Sequence, residues 1–330
     1  MRIALVAMSG VRANNPELTA LGLSLPGFVE RGKTIASLPS LGLLTLAALT
    51  DDRFDVDYIE VDEIADVEPL PECDVAAIST YSAQVKDAYT LSERFRSVGT
   101  RTVIGGLHVT VLPDEALAHG DAVVVGEGEP LWGRVLDDAL AGTLSGVYRS
   151  DEDYDLREAP IPRYDLLDPD RYNRLTVQTQ RGCPWRCEFC ASSVLLSPRY
   201  KLKPPGKVAA EIRAMKAIWP DPFVELSDDN TFVAKHRSYG LVEAIGHEHV
   251  QWFTETDVSV ADDLVLLGLM KEAGCREILI GFESLNPAAL DGLETKRNWK
   301  LSRIDRYRSA VETIQGSGIA LNACFILGLD

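Results

Sequence analysis

A chain of 330 residues with 46% hydrophobic and 25% charged side chains can bury a sizeable core, which excludes a disordered tail or a disulfide-stapled miniprotein. Its 33 basic and 50 acidic residues leave a net charge of -17, and because each phosphate contact needs a Lys or Arg, nucleic acid is disfavoured as a partner. No apolar run reaches the roughly 18 residues of a membrane span, and the start Met1-Arg2-Ile3-Ala4-Leu5-Val6-Ala7 turns too early for a secretory segment, so a cytoplasmic protein is expected.

Short β-branched runs predict strands at Ile3–Ala7, Asp55–Val61, Val75–Ser79, Thr102–Ile104 and Ala122–Val125. Apolar spacings of three and four predict helices between them at Leu41–Leu49, Val85–Val98, Asp114–Ala118 and Pro130–Leu140. This alternation is the pattern of an α/β domain with a flavodoxin-like, doubly wound parallel sheet. Ligands of such sheets sit at the carboxyl ends of the strands, and those ends carry small-residue turns: Met8-Ser9-Gly10, Ser79-Thr80-Tyr81-Ser82, Gly105-Gly106-Leu107-His108 and Gly126-Glu127-Gly128-Glu129. Residues 8–37 show little periodicity and are expected to form a lid over that edge.

The acidity is uneven: residues 1–160 carry 12 basic and 27 acidic side chains, net -15, which leaves net -2 for the remainder. The break falls in the acidic stretch Asp151–Arg163, whose prolines end regular structure. The expected division is a first domain at 1–145, a linker at 146–172 and a second domain at 173–330.

Three of the six cysteines lie within eight residues of one another, in Arg181-Gly182-Cys183-Pro184-Trp185-Arg186-Cys187-Glu188-Phe189-Cys190. Thiols this close do not form a disulfide framework; they suggest a metal or redox site in a reducing compartment. A closed zinc site wants four ligands, and the nearest later candidates are His236 and Cys275. Three cysteines on a four-iron cluster instead leave one iron open for chemistry. Cys73, Cys275 and Cys324 read as buried structural thiols. Tyr81, Trp185 and Trp252 have rings that could face a ligand, core packing being the commoner fate.

Beyond the cysteines, helices are expected at Lys207–Trp219, Ser238–His247, Asp262–Ala273 and Arg303–Ser317, with strands at Phe223–Ser227, Trp252–Thr256, Glu277–Gly281 and Ala320–Ile326. Such alternation predicts a partial (β/α) barrel with its site at the carboxyl ends of the strands. Those ends read Ser227-Asp228-Asp229-Asn230, Thr254-Glu255-Thr256-Asp257 and Gly281-Phe282-Glu283-Ser284.

The Cys-x3-Cys-x2-Cys spacing, with Phe189 before the third cysteine, resembles the hallmark of the radical S-adenosylmethionine (SAM) enzymes. The resemblance implies that Cys183, Cys187 and Cys190 hold a [4Fe–4S] cluster, whose open iron takes the amino and carboxylate groups of SAM before its reductive cleavage to a 5′-deoxyadenosyl radical. It further implies that Ser227, Asp228, Asp229, Glu255 and Glu283 contact SAM. An α/β sheet with Gly105-Gly106-Leu107-His108 and Gly126-Glu127-Gly128-Glu129, placed before such a barrel, is similar to the cobalamin-binding domain of the cobalamin-dependent subgroup. Pro162-Arg163-Tyr164-Asp165-Leu166-Leu167 is similar to that subgroup's linker.

The resemblance assigns Ser79, Thr80, Gly105, Gly106, His108, Gly126, Glu127 and Gly128 to cobalamin. The Asp-x-His-x-x-Gly cobalt-ligand motif is absent and no histidine precedes His108, so a corrinoid would be held without a histidine from the first-strand loop. The implied activity is methylation of an unactivated carbon on a small-molecule substrate, with an external electron donor such as flavodoxin or ferredoxin. A radical rearrangement or cyclisation, or a non-catalytic metal-binding protein, are the alternatives. The barrel is expected to stop after its fifth strand.

Overall fold

The computed structural model describes residues 1–8, 38–192 and 199–329, which form two compact units, Met1–Arg174 and Leu175–Asp330. The expected lid at 8–37 lies, apart from Met8, outside the described residues.

In the first unit a six-stranded sheet is built from β1 (Arg2–Met8), β2 (Asp55–Val61), β3 (Val75–Ser79), β4 (Arg101–Gly105), β5 (Ala122–Val125) and β6 (Gly146–Arg149), in the order β2-β1-β3-β4-β5-β6 and wholly parallel. Successive side chains of β1 go to opposite faces, as the period of two requires. Ile3, Leu5 and Ala7 join a core with α1 (Leu41–Ala48) and α5 (Glu129–Leu140), whereas Ala4, Val6 and Met8 pack against Ala88, Leu91 and Phe95 of α2 (Val85–Ser97). Helices therefore cover both faces, and the strand order reverses at β1 and β3, where the carboxyl-end crevice of such sheets opens. The helix expected at Asp114–Ala118 is preceded by another: α3 (Leu107–Val111) starts directly after β4, and Pro113 opens α4 (Pro113–Leu117).

Two corrections fall in the stretch assigned to a linker. Residues 146–149 are the sixth strand, β6, whose short Gly-Val-Tyr-Arg sequence sits beside an acidic run that masked it. Residues 163–172 are packed on the first unit: Arg163 N donates to Leu44 O at 3.1 Å, Tyr164 and Tyr172 are each 1% exposed, and the Tyr172 hydroxyl donates to Glu60.

The second unit begins with β7 (Leu175–Val177), followed by a small antiparallel pair, β8 (Gln180–Arg181) and β9 (Lys201–Leu202). Then come α6 (Pro205–Ile218), β10 (Phe223–Leu226), α7 (Lys235–Gly246), β11 (Gln251–Thr256), α8 (Leu264–Glu272), β12 (Cys275–Glu283), α9 (Pro287–Leu290), α10 (Tyr307–Gly316) and β13 (Ala320–Phe325). The five main strands are parallel in the order β13-β12-β11-β10-β7, sequential neighbours throughout, as expected of a (β/α) partial barrel. Trp252 and Cys275 are fully buried near the starts of β11 and β12, so both are core residues at the end opposite the strand-end turns. Cys73 and Cys324 are only half-buried. No helix among the described residues is long and apolar enough to cross a membrane.

Candidate functional site

The cysteine loop leaves β8 and is tied to the ends of β10 and β11. Gly182 N donates to Asp229 Oδ2 at 3.0 Å, and the Trp185 indole N–H donates to Asp257 Oδ2 at 3.1 Å. Cys187 is buried, and Cys183 and Cys190 are half-buried. Burial pushes the Cys183 and Cys187 thiols up to about 11. Thiolates therefore form here at neutral pH only with a cationic partner, which suits metal ligation rather than free nucleophilic thiols. Asn230 Nδ2 lies 3.8 Å from Cys183 Sγ, and the positive charge of Lys300 acts on Cys187 against the effect of burial. Among the described residues no three His, Cys, Asp or Glu groups converge on a single-ion site. A four-iron cluster does not require that, because each cysteine binds a different iron. The donor set thus fits a cluster and does not fit a closed zinc site.

The strand-end residues divide into distinct roles. Asp228 is 4% exposed and its carboxylate is saturated: Oδ1 accepts from Thr179 N (2.7 Å) and Gln180 N (3.0 Å), and Oδ2 from the hydroxyls of Thr179 (2.6 Å) and Thr231 (2.8 Å). These four bonds clamp the chain between β7 and the cysteines. Asp228 is buried and the adjacent Asp229 is exposed. Ser227 is half-buried, its N–H bonded to Val177 O at 2.9 Å.

Glu283 ends β12 at φ 65° beside a register shift, a bulge that re-aims its side chain. It is not a free carboxylate, because Lys300 Nζ donates to its Oε1 at 2.7 Å and to Gly281 O at 2.7 Å. Sequence reasoning missed Lys300, Asn230 and Asp257. The last two lie in the strand-end tetrads, where their residue types were the available signal. Asn230 Nδ2 donates to Asp257 Oδ2 at 2.9 Å, and Asn230 Oδ1 accepts from Asp257 N at 3.2 Å.

Glu255 is half-buried, and desolvation together with the charges of Glu225, Asp229 and Asp228 pushes its carboxyl up to about 7. A raised carboxyl binds a proton in the folded chain that the unfolded chain, near 4.3, has already lost. Stability from this group is therefore complete below the free-chain value and is lost as pH rises from there through about 7. Relative to Glu255→Gln, the unfolding free energy of the apo-protein should drop by on the order of 2–3 kcal/mol between pH 4.5 and pH 8. Denaturant titrations across that range check it; parallel curves for the two proteins would place Glu255 in water.

In the first unit, the carboxyl edge brings together the turns after β3, β4 and β5. Thr80 N donates to Gly105 O at 3.0 Å, and Thr110 Oγ1 bridges by donating to Gly106 O and accepting from Gly126 N, each at 3.0 Å. Gly106 has φ 109°, and a Cβ there would lie 2.2 Å from Thr80 O. Ser79 is half-buried and Thr80 is buried. The Glu127 carboxylate accepts from Tyr154 N at 2.9 Å. The His108 ring lies 3.0 Å from Ser82 Oγ and 3.2 Å from Glu115 Oε1, both ring nitrogens engaged by neighbouring side chains. Tyr81, Leu107, Val111 and Leu112 are large apolar residues left exposed on the elements that leave this edge. Exposed apolar side chains of this kind are what a large flat cofactor would cover.

Comparison with known proteins matches residues 33–134 to the B12 binding domain and residues 177–330 to the Radical SAM superfamily. The chain is 30% identical over 306 residues to an uncharacterized methyltransferase of Synechocystis, covering 89% of this chain and 55% of the relative. It is 28% identical over 303 residues to the bacteriochlorophyllide d C-12(1)-methyltransferase of Chlorobaculum tepidum, covering 89% of this chain and 65% of the relative. Among solved structures, the cobalamin-dependent SAM radical enzyme OxsB has a TM-score of 0.74 at 17% identity, covering 99% of this chain and 49% of that one; at such identity the likeness is one of fold. The chain thus carries a match to a B12 binding domain ahead of a match to the Radical SAM superfamily. It spans only about half to two thirds of the length of these relatives.

Proposed function

We propose that the chain is the cofactor-binding portion of a cobalamin-dependent radical SAM methyltransferase that acts on an unactivated carbon of a small molecule. The observation that carries this reading is the cysteine loop, with one buried and two half-buried thiols, held against the polar strand ends of a parallel partial barrel. The two relatives named as methyltransferases favour methyl transfer over rearrangement or cyclisation. When bound, the cluster supplies the electron that cleaves SAM, and cobalamin supplies a methyl group. Cys183, Cys187 and Cys190 hold the cluster; Ser227, Asp229 and Glu255 present polar groups to SAM, and Glu283 does so together with Lys300. In the first unit Ser79, Thr80, Gly105, Gly106, Gly126, Glu127 and Gly128 form the corrinoid edge. The electron comes from an external donor such as flavodoxin or ferredoxin.

Anaerobic reconstitution with iron, sulfide and hydroxocobalamin, followed by desalting, tests both cofactors at once. Iron–sulfur and corrin absorption should remain with the protein, and dithionite with SAM should yield 5′-deoxyadenosine or S-adenosylhomocysteine. A colourless zinc protein would overturn the reading. Because Ser82 and Glu115 occupy the His108 ring, His108→Ala should retain the corrinoid within about threefold of wild type. Loss of the corrinoid with this change alone would make His108 a ligand.

A further inference from the structure

We infer that residues 293–299 form a clasp that sets the shape of the cysteine loop before any cluster is present, with Glu294 as its positioning residue. This rests on the reading of Cys183, Cys187 and Cys190 as cluster ligands. The loop has little regular structure of its own, yet its central amides are paired, and the partners come from a segment more than 100 residues away. Glu188 N donates to Leu293 O at 2.9 Å, Thr295 N donates to Arg186 O at 2.9 Å, and Cys187 and Glu294 form an antiparallel bridge. The Thr295 hydroxyl also donates to Arg186 O at 3.1 Å, Lys296 Nζ donates to Pro184 O at 3.4 Å, and Trp299 stacks on Trp185 with centroids 5.0 Å apart.

The Glu294 side chain turns back through this ribbon. It is 2% exposed, its Oε1 accepts from Arg186 N (3.3 Å) and Lys296 N (3.1 Å), and its Oε2 accepts from Arg297 N (2.8 Å). One carboxylate thus joins the loop residue directly before Cys187 to the turn that carries the clasp. No neutral side chain of this shape does the same: in a glutamine, one of the two terminal atoms is an amide nitrogen that opposes either Arg297 N–H or the pair of N–H groups at the other oxygen. A loop whose backbone is already fixed does not have to be ordered when the cluster arrives, and it resists release of the irons once they are held.

The test reads the clasp with and without cluster. In the full-length apo-protein, hydrogen exchange at the Arg186 and Glu188 amides should be at least tenfold faster in Glu294→Gln than in wild type, with exchange in β10, β11 and β12 unchanged. After reconstitution, a ferrous chelator should strip the variant at least tenfold faster, and its reduced cluster should show a broadened electron paramagnetic resonance signal. Equal exchange at Arg186 and Glu188 in the two proteins overturns the inference, as does an increase spread evenly through the second unit, which would make Glu294 a general stabiliser. Should Glu294→Gln not fold, Thr295→Val with Lys296→Met alters only exposed side chains of the clasp; about threefold faster loop exchange and stripping supports the inference, and no change overturns it. If wild type takes up no iron while the exchange difference stands, the cluster reading fails and the clasp stands.

Discussion

Replacing Cys183, Cys187 and Cys190 together with alanine is expected to abolish bound iron and sulfide after anaerobic reconstitution while leaving the second unit folded. Each substitution removes one sulfur from a loop whose backbone is held independently, by Asp229 through Gly182 and by the 293–299 segment through Arg186 and Glu188. Only Cys187 of the three is buried, and the cost of losing its sulfur is on the order of 1–2 kcal/mol. The loss of metal should be nearly complete, because the remaining acids nearby are already committed or are poor thiolate substitutes: Glu283 pairs with Lys300, and Asp257 accepts from Asn230 and Trp185. Iron and acid-labile sulfide assays, with circular dichroism on the same samples, separate loss of ligands from loss of fold. Full retention of the cluster in the triple variant would remove these residues as its ligands.

The cysteine loop was legible because its spacing is local: three thiols within eight residues need no tertiary information to be seen as a set. Strands β1, β3 and β5 were legible for the same kind of reason, since they are buried on both faces and read as continuous apolar runs. What escaped depends on register or on distance along the chain. Asp228 and Asp229 are adjacent and chemically alike, and only the orientation of the chain leaving β10 decides that one is a sealed clamp and the other faces outward. Glu283 was expected to contact SAM, and its partner Lys300 went unseen because it lies 17 residues later, beyond the bulge that turns Glu283 toward it. Glu294 stood in a polar stretch indistinguishable from solvated surface, because nothing local marks a carboxylate whose amide donors include one from residue 186. β6 was missed because four residues, one a glycine, carry too little periodicity to be told from the acidic segment that follows. At the corrinoid edge the glycines were visible, but their roles were not, since the sequence does not tell a glycine forced by a neighbour from one that only ends a strand.

That distinction makes Gly106→Ala the second substitution with a large expected effect. Gly106 has φ 109°, and an added Cβ would lie 2.2 Å from Thr80 O and 3.0 Å from Thr80 N. Both obstacles are backbone, and Thr80 cannot easily move away because its N–H is bonded to Gly105 O at 3.0 Å and its side chain is buried. The left-handed conformation costs about 1–3 kcal/mol and the forced overlap about 1–3 kcal/mol more, together about 2–6 kcal/mol. The apo-protein should therefore melt lower by about 4–20 °C in the transition that reports the first unit. Gly126→Ala is the control, because Gly126 also has a left-handed φ, 83°, but nothing lies within 4 Å of its added Cβ. Its cost should stay near the conformational term alone, so the difference between the two variants measures the close approach of β4's turn to β3's. Under the corrinoid reading the same overlap would push apart the turns that carry Ser79, Thr80 and Gly105, and Gly106→Ala should fail to retain hydroxocobalamin on desalting even below its melting temperature. Equal melting temperatures for Gly106→Ala and Gly126→Ala would mean that the turns do not meet at Thr80. A destabilised Gly106→Ala that still holds the corrinoid would move the binding edge away from the β3 and β4 turns, toward the glycines after β5.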